Sequence, residues 1–296
     1  WIGSLMMISQ DDGYWVKVFE STSINVFDAD PVSYDGLDNS GQPCSDCNNG
    51  EVVYDIHFGN NLISYPFQSS QFVSNALGDA VANIYAVAGE GVAGMYNPDF
   101  DGDGDGWVGS LQTFDSGKGY WLVATDNFSF SFNGTSTGLT RNVNVREIPE
   151  IYSYRQSDQQ AFFFIDNATI FGEALDKDDI IITYNEDVIV GARYWNGQMT
   201  DVPAIGIDSD MQELFSGYCE EGTKISFKVF DSSTGILTPM YTDDDIVWSN
   251  FKMSVISLSE KYVPTEVGLS NAYPNPFNPV TELNINLPED NLVKVN

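Results

Sequence analysis

The chain has 296 residues, enough for two or three domains that bury their cores without covalent staples. Twelve Lys and Arg stand against 43 Asp and Glu, a formal charge of -31 that repels phosphate backbones and anionic headgroups, so nucleic-acid partners are not expected. An aromatic content of 14% excludes an acidic disordered tail, and no apolar run approaches the roughly 18 residues of a membrane-spanning helix, so membrane insertion is not expected either.

Internal repetition organises the first half. Trp1-Ile-Gly-Ser-Leu5 followed by Gly13-Tyr14-Trp15-Val16 matches, with the same spacing, Trp107-Val-Gly-Ser-Leu111 followed by Gly119-Tyr120-Trp121-Leu122. The second copy reaches back to an opening strand at Asn61-Leu-Ile-Ser-Tyr-Pro66, which the first copy lacks. Residues 1–27 therefore read as a partial module, its opening half upstream or supplied by a neighbouring subunit through strand addition, and the second possibility gives a polymer by self-association. The Gly-Tyr-Trp strands read as core, with an aromatic platform for surface glycans as the alternative.

Residues 28–50 are dense in Asp, Gly and Pro and read as a linker. They hold Cys44 and Cys47, read as a small loop disulfide, while Cys219 reads as a buried thiol. Residues 51–135 form the complete β-rich module. Within it, Val52, Tyr54, Ile56 and Phe58 alternate with Val53, Asp55 and His57 as in a half-buried strand. Apolar residues at three- and four-residue spacing across 70–89 predict one or two helical turns.

The sharpest chemical motif is Asn97-Pro-Asp99-Phe-Asp101-Gly-Asp103-Gly-Asp105-Gly106. Carboxylates at alternate positions, with glycines that let the backbone wrap, place hard oxygens around one cation. Asp99, Asp101, Asp103 and Asp105 are therefore candidate calcium ligands. Ser110 stands where an EF-hand would carry its bidentate Glu, so this is no helix-loop-helix site, and a solvated acidic turn is the competing reading.

After a linker over 136–157, residues 158–262 show short apolar strands broken by turn formers, the pattern of an antiparallel β-sandwich. The expected strands include Phe162-Ile165, Ile180-Tyr184, Val188-Trp195, Ile225-Phe230 and Ile236-Met240, with Asp231-Ser-Ser-Thr-Gly235 joining the last two. The segment Gly191-Ala-Arg-Tyr-Trp195 with Thr200-Asp-Val-Pro203 is similar to a module of secreted multidomain bacterial proteins that has no assigned activity. Arg193 either pairs with a carboxylate or stacks on a sugar or anion, the ion pair being the expectation in so acidic a chain.

The last segment, 263–296, contains Tyr273-Pro-Asn-Pro-Phe-Asn-Pro279, then Thr281 and Leu287-Pro288 around an alternating run. This resembles the opening of the type A C-terminal sorting domain of type IX secretion, over residues 269–296, cut short after its first strand. The resemblance implies engagement of the type IX secretion machinery and a secreted, extracellular or surface-attached protein. It implies nothing about activity.

The fold class expected is mainly β, tandem β-rich modules with an antiparallel sandwich and the start of a sorting domain. The function expected is non-enzymatic: a structural or adhesive component of a surface layer, filament or matrix, stabilised by calcium. The alternative is a carbohydrate-binding accessory region of a secreted hydrolase. The single histidine, His57, on the polar face of its strand, gives a Ser-His-Asp mechanism no support.

Overall fold

The structure is a computed structural model that describes residues 8, 12–18, 20, 22–23, 52–67, 69–99, 105–133, 146–260, 268–269 and 285–286. The protein is mainly β. In the first half β1 (Tyr54–Ile56), β2 (Gly59–Ser64) and β3 (Gln71–Phe72) precede a short helix, α1 (Val73–Leu77), and a 3-10 turn over Gly78–Asn83. Then come β4 (Ile84–Ala88), β5 (Ala93–Tyr96), β6 (Trp107–Gly109), β7 (Thr113–Phe114), β8 (Gly119–Ala124) and β9 (Phe128–Phe130). The main sheet runs β2-β8-β4-β5-β6, antiparallel throughout, with β1 paired to β9 and β3 to β7.

The alternation over 51–58 places Val52, Tyr54 and Ile56 in the core, but Phe58 is 70% exposed. The strand has ended by then: Gly59 turns the chain at φ +93, and the Phe58 N–H donates to the Asn127 side chain. The helical turns predicted over 70–89 are present as α1 and the 3-10 turn. Ile84 and Val87, however, belong to β4, because their backbones pair with β8 and that pairing overrides a spacing that also fits a helix.

In the second half β10 (Gln160–Ile170) is the central strand, followed by β11 (Glu173–Ala174), β12 (Ile180–Asn185), β13 (Val188–Tyr194), β14 (Thr200–Ile205), β15 (Ser226–Asp231), β16 (Ile236–Met240) and β17 (Met253–Ser259). One sheet has the order β13-β12-β15-β16, and in the other β10 takes β14 and β11 antiparallel and β17 parallel. The parallel pair departs from the purely antiparallel sandwich expected. The chain between β10 and β17 is long enough to cross over the second sheet, so direction is not dictated by a hairpin. Asp231 closes the β15–β16 turn as expected: its carboxylate accepts from the Ser233 and Thr234 amides at 2.8 and 3.2 Å, and Gly235 adopts φ +72. In the tail, β18 (Gly268–Leu269) pairs antiparallel with β19 (Ile285–Asn286); the Tyr273-to-Pro279 motif between them lies outside the described residues.

Successive side chains of a strand point to opposite faces, and this alternation assigns the layers. Val87 of β4 and Leu122 of β8 face a core shared with Tyr54, Phe114 and Phe130. On the opposite face of that sheet, Ala86, Ala88, Ala93 and Met95 meet Phe162 and Phe164 of β10. The other face of β10, Phe163 and Ile165, meets Ile181, Val190 and Val229. The three sheets thus stack face to face, and the run Ala161-Phe-Phe-Phe-Ile165 is continuous because both its faces are covered. The alanine-rich face is matched to the phenylalanines it receives. A Cβ on Gly109, at φ +103, would come 2.8 Å from the Phe164 ring and 2.4 Å from the Ala93 carbonyl.

Among the glycines of the second half, Gly191 of β13 lies tightest against a neighbour, the β14 backbone. An added Cβ there would lie 1.8 Å from the Pro203 carbonyl oxygen, which accepts the Thr183 hydroxyl at 2.7 Å. Gly191→Ala is expected to lower unfolding free energy by about 3 kcal/mol, read from the midpoint of chemical denaturation.

Candidate functional site

Two features concentrate polar chemistry: a buried junction between the two halves and a cleft beside it. The junction is built by β13 and β14 reaching towards the β4–β5 turn and the end of β6. Asp201 is 1% exposed and Arg193 is 6% exposed. The Arg193 Nη2 lies 3.2 Å from Asp201 Oδ2 and donates to the Gly91 carbonyl at 2.5 Å, while its Nε donates to the Asp201 carbonyl at 2.9 Å. The Asp201 carboxylate also accepts the Ala93 amide at 3.1 Å, the Ser110 amide at 2.7 Å and the Ser110 hydroxyl at 2.7 Å. The fully buried Gln160 completes the set, donating to the Gly89 carbonyl at 3.0 Å and accepting the Gly91 amide at 3.2 Å.

Every one of these partners in the first half is backbone of the β4–β5 turn or lies at the start of β5 or the end of β6. Burial pushes the Asp201 carboxyl above its usual value, and the Arg193 guanidinium, the Ser110 hydroxyl and the Ala93 amide pull it back. Arg193 therefore takes the ion-pair role expected of it. Asp201 was not foreseen. Its only sequence signal is a lone acid in the apolar strand Thr200-Asp-Val-Pro-Ala-Ile205.

The cleft, about 530 Å³, lies where residues 14–18 cross the first half towards the second. This strap is tied at one end by the Gly13 amide donating to the Leu62 carbonyl at 3.1 Å and by an antiparallel bridge between Asp12 and Ile63. The glycine is required there, since a Cβ would lie 2.8 Å from the Ile63 carbonyl oxygen. At the other end the Lys17 ammonium sits 2.8 Å from Asp208, 3.0 Å from Asp210 and 3.5 Å from Asp158, all in the second half. Burial alone would lower the Lys17 value, but these three carboxylates outweigh it and raise it well above the ordinary lysine range. Burial would likewise raise Asp208; the Lys17 ammonium and the amides of Asp210 and Met211 hold it below the usual carboxylate value.

Of the aromatic residues considered as a glycan platform, Trp195 is buried, Trp15 and Trp121 are half-buried, and Tyr120 is 4% exposed with its hydroxyl accepting the Asp115 amide at 2.8 Å. No flat aromatic row is presented by these four. Trp121 packs instead on Phe251, ring centroids 4.5 Å apart, across the junction.

The acidic loop is the β5–β6 connection, its neck closed by the Asn97 amide donating to the Gly106 carbonyl at 2.7 Å. Asp105 accepts the Trp107 amide at 2.9 Å, and Asp99 lies at the loop's other end. Asp101 and Asp103 lie outside the described residues, as do Cys44 and Cys47. Among the described residues no group of three or more His, Cys, Asp or Glu is placed to hold a metal. Cys219 is free and buried, and burial pushes its thiol up to about 12. His57 has its Nδ1 2.8 Å from the Phe58 carbonyl, and the one Gly-x-Ser-x-Gly string, Gly134-Thr-Ser-Thr-Gly138, lies outside the described residues.

Arg193→Met leaves Asp201 buried without its cation and is expected to cost about 3–5 kcal/mol in chemical denaturation, and adding Asp201→Leu is not expected to restore stability, because the Ala93 and Ser110 donors and the Gly91 carbonyl then lose their partners. Lys17→Met is expected to speed hydrogen exchange at the Gly13 amide about tenfold while leaving the β10 amides unchanged. For Asp208 the folded value lies below the unfolded one, so its contribution is complete above the ordinary carboxylate range and disappears as pH falls through the depressed value. Exchange at Gly13, corrected for the intrinsic rate, should therefore be constant from about pH 5 to 8 and rise only below about pH 4.

Compared with known proteins, the chain matches no family model, no curated protein and no solved structure.

Proposed function

We propose that the chain is a non-catalytic structural or adhesive part of a secreted bacterial surface layer, filament or matrix, exported through type IX secretion and stabilised by calcium. The observation that carries the reading is the junction. Three sheets packed face to face, with Asp201, Arg193 and Gln160 of one half bonded to the backbone of the other, make the two halves resist being pulled apart.

Export rests on the resemblance of Tyr273 through Pro279, Thr281 and Leu287-Pro288 to the sorting domain. Calcium rests on the alternate carboxylates of Asp99, Asp101, Asp103 and Asp105 within a hairpin loop whose neck is already closed. A divalent cation there neutralises side chains that otherwise repel one another, and so orders the loop.

The test is electron microscopy of the purified protein at fixed concentration, in millimolar calcium and again after a chelator. Ordered filaments or sheets that disperse on chelation are expected, and Asp101→Asn with Asp103→Asn should disperse them in calcium. Monodisperse particles indifferent to chelator would sink the reading.

A further inference from the structure

The sequence holds three Asn-Gly pairs, Asn49-Gly50, Asn133-Gly134 and Asn196-Gly197. Asparagine is a chemically labile residue, and most so before glycine, whose amide nitrogen has no neighbouring side chain to keep it from closing a five-membered ring on the asparagine side chain. The fold decides which pair is free to react. Asn49, Gly50 and Gly134 lie outside the described residues, and the Asn133 side chain is held, its amide nitrogen donating to the Asn75 carbonyl at 2.8 Å.

Asn196-Gly197 lies in the connection from β13 to β14, where the frame of the turn is fixed and the reacting groups are loose. The Asn196 amide donates to the Thr200 hydroxyl oxygen at 3.0 Å, and the Gly197 carbonyl accepts the Thr200 hydroxyl at 2.6 Å and the Thr200 amide at 3.2 Å. The Asn196 side chain is exposed, and among the described residues neither it nor the Gly197 amide makes a hydrogen bond. Gly197 adopts φ +97, and a Cβ on it would meet nothing within 4 Å, so base and water reach it.

Charge favours the same site. Ring closure removes the Gly197 amide proton and then places negative charge on the oxygen of a tetrahedral carbon, and nearby cations stabilise both. Asn196 lines a pocket of about 180 Å³ together with Arg146 and Lys177, in a chain that has 12 Lys and Arg in all and a net charge of -31. Arg146 is stacked on the Tyr194 ring, 3.7 Å from its centroid, and shares its charge with Asp178 at 3.0 Å; Lys177 has no ion pair among the described residues. Arg193, in the same pocket, is matched by Asp201.

We propose that Asn196 is a self-modification site, at which the Gly197 nitrogen attacks the Asn196 side chain with Arg146 and Lys177 favouring the charged intermediates. The nitrogen loses its proton to hydroxide and bonds to Cγ; the Cγ–Nδ2 bond breaks, and the leaving nitrogen takes a proton from water and departs as ammonia. The succinimide so formed adds water across one imide C–N bond and opens to aspartate or isoaspartate. The sum is asparagine plus water giving aspartate or isoaspartate plus ammonia, with no change of oxidation state. Isoaspartate lengthens the main chain by one methylene just ahead of β14, the strand that carries the buried Asp201.

The experiment incubates the full chain in mildly alkaline buffer and follows, by mass spectrometry of tryptic peptides, the gain in mass of an amide converted to a carboxylate, with isoaspartate assayed separately. Lys177→Gln and Arg146→Gln each remove one cation, and Asn196→Gln puts one more methylene in the ring that has to close. Lys177 is exposed and its side chain makes no hydrogen bond among the described residues, so Lys177→Gln leaves the fold intact, which a thermal melt checks. Conversion at Asn196 is expected to run at least about tenfold faster than at Asn133, and about threefold slower in each cation variant. Isoaspartate is expected among the products, and Asn196→Gln is expected to abolish the mass gain in its peptide. Conversion at Asn196 no faster than at Asn133, an unchanged rate in both cation variants, or a mass gain that persists in Asn196→Gln would each overturn the proposal.

Discussion

A carboxylate in the interior is tolerated only when its charge is matched and its lone pairs are filled, and Asp201 meets both conditions through groups drawn from two halves of the chain. The cation comes from the neighbouring strand β13. The remaining donors come from Ala93 and Ser110, more than ninety residues earlier. Separating the halves would leave Asp201 short of three donors and would free the Gly89 and Gly91 backbone from Gln160 and Arg193. The cost of that exposure, more than the gain from any one contact, holds the sheets in their relative position.

Apolar packing at the same seam depends on that registration. Ala86, Ala88 and Ala93 present a shallow face, and Phe162 and Phe164 fill it. A one-residue slip of β4 or β10 against its strand neighbours would turn Val87 or Phe163 into the seam instead, since side chains alternate at a period of two. The polar network supplies what dispersion lacks, a directional reason for one register over its neighbours. The absence of a Cβ at Gly109 leaves room for the Phe164 ring against β6.

The strap over 12–18 uses the same two devices on the surface. A glycine permits close backbone approach at one end, and one cation meets several acids at the other. In a chain with 12 Lys and Arg, a lysine held by three carboxylates is a scarce charge placed where it joins the two halves again. The cleft beneath it exists because the strap bridges the groove without filling it.

By itself the sequence determined the mainly β class, the positions of most strands in the second half and the Asp231 turn, because strand periodicity and turn chemistry are local properties of the backbone. It also marked the acidic loop and the Gly-Tyr-Trp repeat, and it marked Arg193 as a charge in need of a partner. What it did not determine was which carboxylate Arg193 would find, that β10 would be covered on both faces, that β17 would join it in parallel, or that Trp121 and Gln156 would share a cleft. Each of these depends on groups brought together from distant parts of the chain. Short-range pattern decides which face of a strand is apolar; only the stacking of sheets decides what that face meets, and with it which polar atoms are satisfied.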